Sequence, residues 1–153
     1  PEVRQFLQDS GFPGMKVLEF AFDSREPSDY LPHTYTPNCV CYVGTHDNAP
    51  VMAWKDEADP DDVALAVRYL GLNQEEGFHW GMIRGGQSSV ADLFIAQMQD
   101  YLGLGADSRM NTPGLLGGNW QWRLMPEQLD AMLAKRMAEI AWIYGRSPSE
   151  QKP

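Results

Sequence analysis

Apolar runs of strand character alternate with amphipathic helical stretches along this chain, and that alternation limits its possible folds more than any other feature. Residues 15–22 (MKVLEFAF) run largely apolar between Gly14 and Asp23, the pattern of a buried strand. Residues 39–44 (CVCYVG) form a second such run, rich in β-branched and aromatic side chains. Residues 1–9 read as a short helix: Pro1 suits a first-turn position, Val3, Phe6 and Leu7 share a face, and Gly11 follows the end. A clearer helix opens at Asp59-Pro60-Asp61-Asp62, which offers a cap, a proline at the first helical position and acids at the positive end of the dipole. Val63, Ala66, Val67 and Leu70 line one of its faces, and Gly71 closes it. Residues 125–144 form another, striped by Leu129, Met132, Leu133, Met137, Ile140 and Tyr144 and stopped by Gly145. Strands that alternate with helices favour a parallel α/β architecture.

Two stretches are less regular. Residues 23–38 hold Pro27, Pro32 and Pro37 among polar side chains and read as a long surface loop. Residues 88–102 read both ways: Val90, Leu93, Phe94, Met98, Tyr101 and Leu102 fit a helix by spacing, yet 94–98 could equally be a buried strand. No internal repeat, low-complexity tract or linker divides the chain.

Its 153 residues allow one domain or a piece of a larger one. With 43% apolar residues, the chain can fill a core, which argues against disorder. Twelve basic against 21 acidic residues, with no basic cluster, argue against nucleic acid or an anionic membrane as partner. The longest unbroken apolar runs are five residues (39–43, 63–67 and 140–144), where a bilayer span needs about 20. Cys39 and Cys41 would point to the same face of one strand, too close to bridge without distorting the pleat. No disulfide scaffold and no signal peptide leave a cytoplasmic location as the expectation. The first residue is Pro1 rather than Met, so a start inside a longer chain is expected, and residues 146–153 read as a polar C-terminal tail.

In parallel α/β folds, catalytic groups gather in loops at the carboxyl ends of strands. That rule directs attention to Asp23, to residues 45–48 and to whatever follows residue 98. Thr45-His46-Asp47-Asn48 is the most suggestive segment, because an apolar strand ends there in four consecutive polar residues. It is either a turn in which Asp47 and Asn48 bond the backbone, or a His and an Asp aimed into a cleft to bind a polyhydroxylated or charged substrate. Residues 109–123 (RMNTPGLLGGNWQWR) combine Gly114, Gly117 and Gly118 with Asn119, Trp120 and Trp122. Such indoles either stack on sugar rings or cover core. His33 reads as structural and His79 as a partly exposed loop residue. A metal site from His33, His46 and Asp23 lacks the spacing of a local ligand motif. Gly85-Gly86 does not extend into a phosphate-binding fingerprint, and no nucleophile-elbow sequence is present.

Several words occur in a telling order: residues 11–23 (GFPGMKVLEFAFD), Leu31-Pro32-His33, Gly44-Thr45-His46-Asp47-Asn48, Gln99-Asp100 through Leu102-Gly103-Leu104-Gly105, Arg109-Met110-Asn111-Thr112-Pro113-Gly114, and Asn119-Trp120-Gln121-Trp122-Arg123. Over roughly residues 1–145 this set resembles the C-terminal part of the 4-α-glucanotransferases, also called amylomaltases or disproportionating enzymes. The resemblance implies an α/β fold: the late portion, about strands six to eight with their helices, of a (β/α)8 TIM barrel that is incomplete on its own. Residues 1–145 would belong to the catalytic barrel, with strand eight near 95–100, so the helical spacing after Phe94 should be misleading. The implied activity is a retaining transfer of α-1,4-glucan segments between maltooligosaccharides, starch or glycogen, run by three carboxylates and no cofactor. Asp47 matches the third carboxylate, which grips ring hydroxyls of the reacting glucose, and His46 would bind the same sugar. Phe20, Asp23 and Asn119 match positions near the sugar sites.

The nucleophile Asp and the acid/base Glu lie upstream of this segment in the family, so the chain alone should be inactive. Its partners would be α-1,4-glucans and the missing N-terminal part of the enzyme. After Asn48 the family usually carries a polar pair such as Asp-Thr, where this chain has Ala49-Pro50. A free-standing, non-catalytic glucan-binding module is the alternative reading, and a metal hydrolase using His33 and His46 a third.

Overall fold

A computed structural model describes residues 2–147, with Arg4 and Gln8 represented by their backbone. Pro1 and residues 148–153, most of the expected tail, lie outside the described residues. Helix α1 (Glu2–Ser10) leads into strand β1 (Gly14–Val17), and strand β2 (Cys39–Tyr42) is followed by helices α2 (Val51–Glu57), α3 (Pro60–Leu70) and α4 (Phe78–Gln87). Strand β3 (Leu93–Ile95), the single helical turn α5 (Met98–Tyr101) and helix α6 (Ala131–Ile143) complete the order. The three strands form one parallel sheet in the order β1-β2-β3.

One face of the sheet is covered. Cys39 and Cys41 lie in register with Gly14 and Lys16 on one side, Cys41 with Phe94 on the other, and both thiols are buried and free. Helix α4 approaches this face at Gly86, where a Cβ would run into the Phe94 ring, and packs on α3 at Gly85, where a Cβ would lie 2.7 Å from Leu70. The Gly85-Gly86 pair is thus a packing surface. The main core gathers Leu18, Phe22, Val43, Val51, Trp80, Met82 and Ile83 between the strand ends and helices α2 to α4.

The opposite face is open. Met15, Val40 and Leu93 stand in one cross-strand row, and Met15 and Leu93 are 60% and 52% exposed. Ile95, two residues on from Leu93 and therefore on the same face, is exposed as well. Val17, at the end of β1, is the buried exception on this side.

Three expectations about the elements are corrected. The run 15–22 is not one strand: after Val17 the chain tightens into a 3₁₀ turn over Leu18–Ala21. Only the Glu19 N–H, donating to Val43 O at 3.1 Å, continues the ladder. Leu18, Ala21 and Phe22 then enter the core at helical rather than alternating spacing, so burial and not β-pairing uses their apolar surface. Strand β3 ends at Ile95, earlier than the expected strand at 95–100, and the helical spacing beyond it is real: Met98–Tyr101 is a helical turn that buries Gln99 and Asp100. The helix expected over 125–144 is broken near its start. Pro126–Gln128 is a 3₁₀ turn, and Asp130 starts α6 anew by accepting the Leu133 N–H at 2.7 Å. Leu129 and Met132 of the expected stripe are therefore exposed, while Leu133, Met137 and Ile140 pack on the core.

The expected caps of α3 are present. Asp59 accepts the Asp61 N–H at 2.9 Å, and Gly71 closes the helix in the left-handed conformation at φ 64°. Residues 23–38 form a loop with one 3₁₀ turn at Pro32–Thr34. His79 lies on α4 rather than in a loop, half-buried, and desolvation lowers its proton affinity. Among the described residues no helix is long and apolar enough to cross a membrane.

Candidate functional site

Strand β2 delivers the chain through buried Val43 and Gly44 into the turn Thr45-His46-Asp47-Asn48. Gly44 is required there, because a Cβ would lie 2.8 Å from the buried Glu19 carboxylate. The turn forms as the backbone-bonding reading expects, through Asn48. Asn48 secures the backbone: its Oδ1 accepts from Thr45 N at 2.9 Å and Thr45 Oγ1 at 2.7 Å, and its N–H donates to Thr45 O at 3.0 Å. His46 and Asp47 are left facing solvent, with side chains about half exposed at 55% and 48%. His46 Nε2 lies 3.2 Å from Asp47 Oδ1. Pro50 is buried directly after the turn and leads the chain into α2.

A second segment, 109–111, straps the turn from outside. Asn111 N donates to His46 O at 3.1 Å and Asn111 Nδ2 to Asp47 Oδ1 at 2.6 Å. Arg109 Nη2 donates to Asp47 O at 2.7 Å and its Nε to Asn111 O at 3.0 Å. Trp120 N donates to Met110 O at 2.6 Å, which brings the Trp120 ring within 5.1 Å of the His46 ring. Trp120 adopts φ 63°, the one positive φ of a non-glycine among the described residues. A bulky side chain resists that conformation, so the surrounding loop imposes it. The indole is half exposed beside the candidate acid rather than used as core.

Asn119 holds this loop together. Its Oδ1 accepts from Thr112 N at 2.9 Å and its Nδ2 donates to Leu115 O at 3.1 Å, so its amide serves the backbone of the glycine-rich segment. Phe20 is exposed on the 3₁₀ turn after β1 and meets Tyr30 edge-to-face at 5.9 Å. Asp23 is clamped by Arg25, whose Nε and Nη2 each donate at 2.8 Å, and those bonds hold its carboxyl down at about 2. The structure thus joins His46, Asp47 and the loop of Asn119 and Trp120, while Asp23 is bonded to its own neighbour. His33 is structural: its Nδ1 lies 2.9 Å from the Tyr69 hydroxyl. Among the described residues, no group of three or more His, Cys, Asp or Glu could hold a metal ion.

Beneath the turn lie two buried acids that sequence reasoning did not assign, Glu19 and Asp100. Burial raises the Glu19 carboxyl well above its ordinary value, the charge of Asp100 adds to that, and Arg109 opposes it. Asp100 is pushed up to about 6, mainly by burial, although its Oδ1 accepts the Val51 N–H at 2.8 Å. Arg109 and Asn111 were also left without a role. The available signal was a charge inside an apolar run, as for Glu19, and an Arg and Asn just before the proline and glycine of a loop.

The model of the 4-alpha-glucanotransferase family matches residues 1–129. The 4-alpha-glucanotransferase of Synechocystis sp. is 48% identical over 147 residues, which cover 95% of this chain and 29% of the relative. That of Clostridium butyricum is 44% identical over 146 residues, covering 95% of this chain and 30% of the relative. The amylomaltase from Streptococcus agalactiae, solved in complex with acarbose, superposes with a TM-score of 0.91 at 38% identity, over 95% of this chain and 30% of that one. The chain spans about 30% of the length of the curated relatives it matches. With the family model matching residues 1–129 and the amylomaltase superposing over nearly the whole chain, this polypeptide belongs to the 4-alpha-glucanotransferase family and corresponds to a fragment of the enzyme.

Proposed function

We propose that this chain is the late part of a retaining 4-α-glucanotransferase that moves α-1,4-glucan segments between maltooligosaccharides, starch or glycogen. Its strands β1 to β3 would be strands six to eight of a (β/α)8 barrel. Residues 1–145 would form the rear of that barrel and 146–153 a polar tail. The observation that carries the reading is a solvent-facing carboxylate, Asp47, at the carboxyl end of the central strand, held by the Asn111 amide from a second segment and lying 3.2 Å from the His46 ring. The open apolar face and two strand edges left unpaired among the described residues support an incomplete barrel, because parallel sheets are normally covered on both faces.

In this reading Asp47 grips ring hydroxyls of the reacting glucose, and bonds that strengthen as the ring flattens favour the transition state. His46 binds the same sugar, and Phe20, Asp23 and Asn119 contribute to neighbouring sugar sites. The nucleophile Asp and acid/base Glu come from the part of the enzyme that this chain lacks, so the chain alone is inert. A cytoplasmic setting suits a transferase acting on stored glucan.

The test is Asp47→Asn in the complete transferase. Turnover in maltotriose disproportionation should fall on the order of 10²-fold or more, as expected when an aimed polar group at the reacting centre is lost. Near-normal turnover would overturn the assignment. The half-exposed Trp120 ring beside His46 favours a second reading, a glucan-binding module with no chemistry of its own. It requires heat on titrating the chain with maltooligosaccharide at millimolar concentration, and no heat would remove it.

A further inference from the structure

Asp47 sits on an exposed turn, yet a group that must meet a transition state has to be held to about 0.5 Å. The bonds within the turn do not achieve this, because Asn48 and Thr45 fix its two ends and leave the Asp47 side chain to outside donors. One hydrogen-bond donor reaches the carboxylate, Asn111 Nδ2 at 2.6 Å from Oδ1, and the His46 ring nitrogen Nε2 lies 3.2 Å from the same oxygen. That leaves Oδ2 for a ligand. Of these two neighbours, only Asn111 stands on independent support. His46 moves with the turn, whereas Asn111 comes from 64 residues further along the chain.

Arg109 makes that support rigid. Its guanidinium donates to Asp47 O and to Asn111 O, so one planar fork spans both segments, and Asn111 N closes the ring of contacts on His46 O. Arg109 also interacts electrostatically with the buried Glu19. Asn111 also suits the task chemically. Its amide nitrogen donates at every pH, so it can orient a carboxylate without competing for its proton.

We propose that Asn111, locked in place by Arg109, is the positioning residue for Asp47, fixing Oδ1 so that Oδ2 meets the sugar hydroxyls. The inference rests on Asp47 being the sugar-gripping carboxylate. It predicts that Asn111 acts on kcat more than on KM, since misplacing a reacting group by about 1 Å can cost on the order of 10²-fold in rate.

The decisive variant is Asn111→Asp in the complete transferase, nearly identical in shape and assayed with maltotriose from pH 5 to pH 8. Two carboxylates at this separation cannot both ionise, so the contact to Asp47 survives only while one of them holds a proton. The kcat of the variant relative to the parent should therefore fall about 10-fold or more as pH rises across that range. His46, Arg109 and Glu19 are the other charged or titratable groups facing this pair, and all three are present in both enzymes. Asn111→Ala should lower kcat about 10-fold or more, with a smaller change in KM and at all pH values alike. A kcat ratio for Asn111→Asp that stays flat with pH would overturn the positioning role, because a merely structural amide would not confer that dependence. Asp47→Asn separates the two levels of the argument. If it is inactive while Asn111→Asp is flat, only the positioning role fails, and if it is active, the reading of Asp47 fails as well.

Discussion

The two faces of the sheet are built on opposite principles. On the covered face, where Cys39 and Cys41 are buried, Phe94 meets helix α4 so closely that the helix needs glycine at Gly86. On the other, Met15, Leu93 and Ile95 of the same strands stand in solvent. Apart from Lys16 on the covered side, both faces are largely apolar in sequence, so composition does not separate them. The difference lies in what the chain supplies: its helices cover one side, and nothing among the described residues covers the other. A parallel sheet with one bare apolar face and two free edges is the structure of something that expects more protein.

The largest effect that follows concerns the chain by itself. In isolation it should self-associate or melt without cooperativity, because exposed apolar surface and open edges invite pairing. Sedimentation together with calorimetry checks this, and a monomeric species with a cooperative transition would break the comparison. Leu93→Lys sharpens it, since this change should reduce association of the isolated chain but impair folding of the complete enzyme, where the same side chain would be buried.

How much of this was readable in advance depended on whether the deciding force was local. Helix α3 was legible because Asp59, Pro60 and Gly71 are local signals, and the structure uses them as caps. The turn at 45–48 was legible because its polar residues interrupt an apolar run. The breaks at Leu18 and at Leu129 were not, because they are decided by which side chains find core, a matter of contacts distant in sequence. Helix α4 was missed for a similar reason: glycines disfavour a helix locally, and only Leu72, Leu70 and Phe94 packed against Gly81, Gly85 and Gly86 show what they are for. The strap of Arg109 and Asn111 was visible only as letters of a motif. Its partners lie 62 and 64 residues away, and spacing carries no trace of that pairing.

A smaller effect tests the region where the covered side meets the site. The Asp100 carboxyl has an ordinary value of 3.8 and is pushed up to about 6 in the folded chain. Between those pH values the folded state binds a proton that the unfolded state has released. Stability from this group is therefore full below about pH 4 and lost as pH rises through 6, by about 3 kcal/mol. Glu19 contributes with the same sign. Asp100→Asn resembles the protonated acid and can still accept the Val51 N–H, so the complete enzyme carrying it should lose much of this pH dependence. Melting temperatures from pH 4 to pH 7 check it, and parallel curves for variant and parent would mean that Asp100 is charged when folded.

The smallest effect isolates the close approach of α4. In an open helix, Gly→Ala gains up to about 1 kcal/mol from backbone propensity. At Gly86 the added methyl meets the Phe94 ring, which is itself held between the sheet and the core, and overpacking of this kind costs about 1–3 kcal/mol. The clash and the propensity gain oppose each other, so Gly86→Ala should destabilise the complete enzyme by about 1–2 kcal/mol net. Phe94→Leu in the same background should recover part of that loss by making room for the methyl. If Gly86→Ala stabilises the protein instead, helix and sheet are not in the contact described, and the covered face is less finished than its glycines imply.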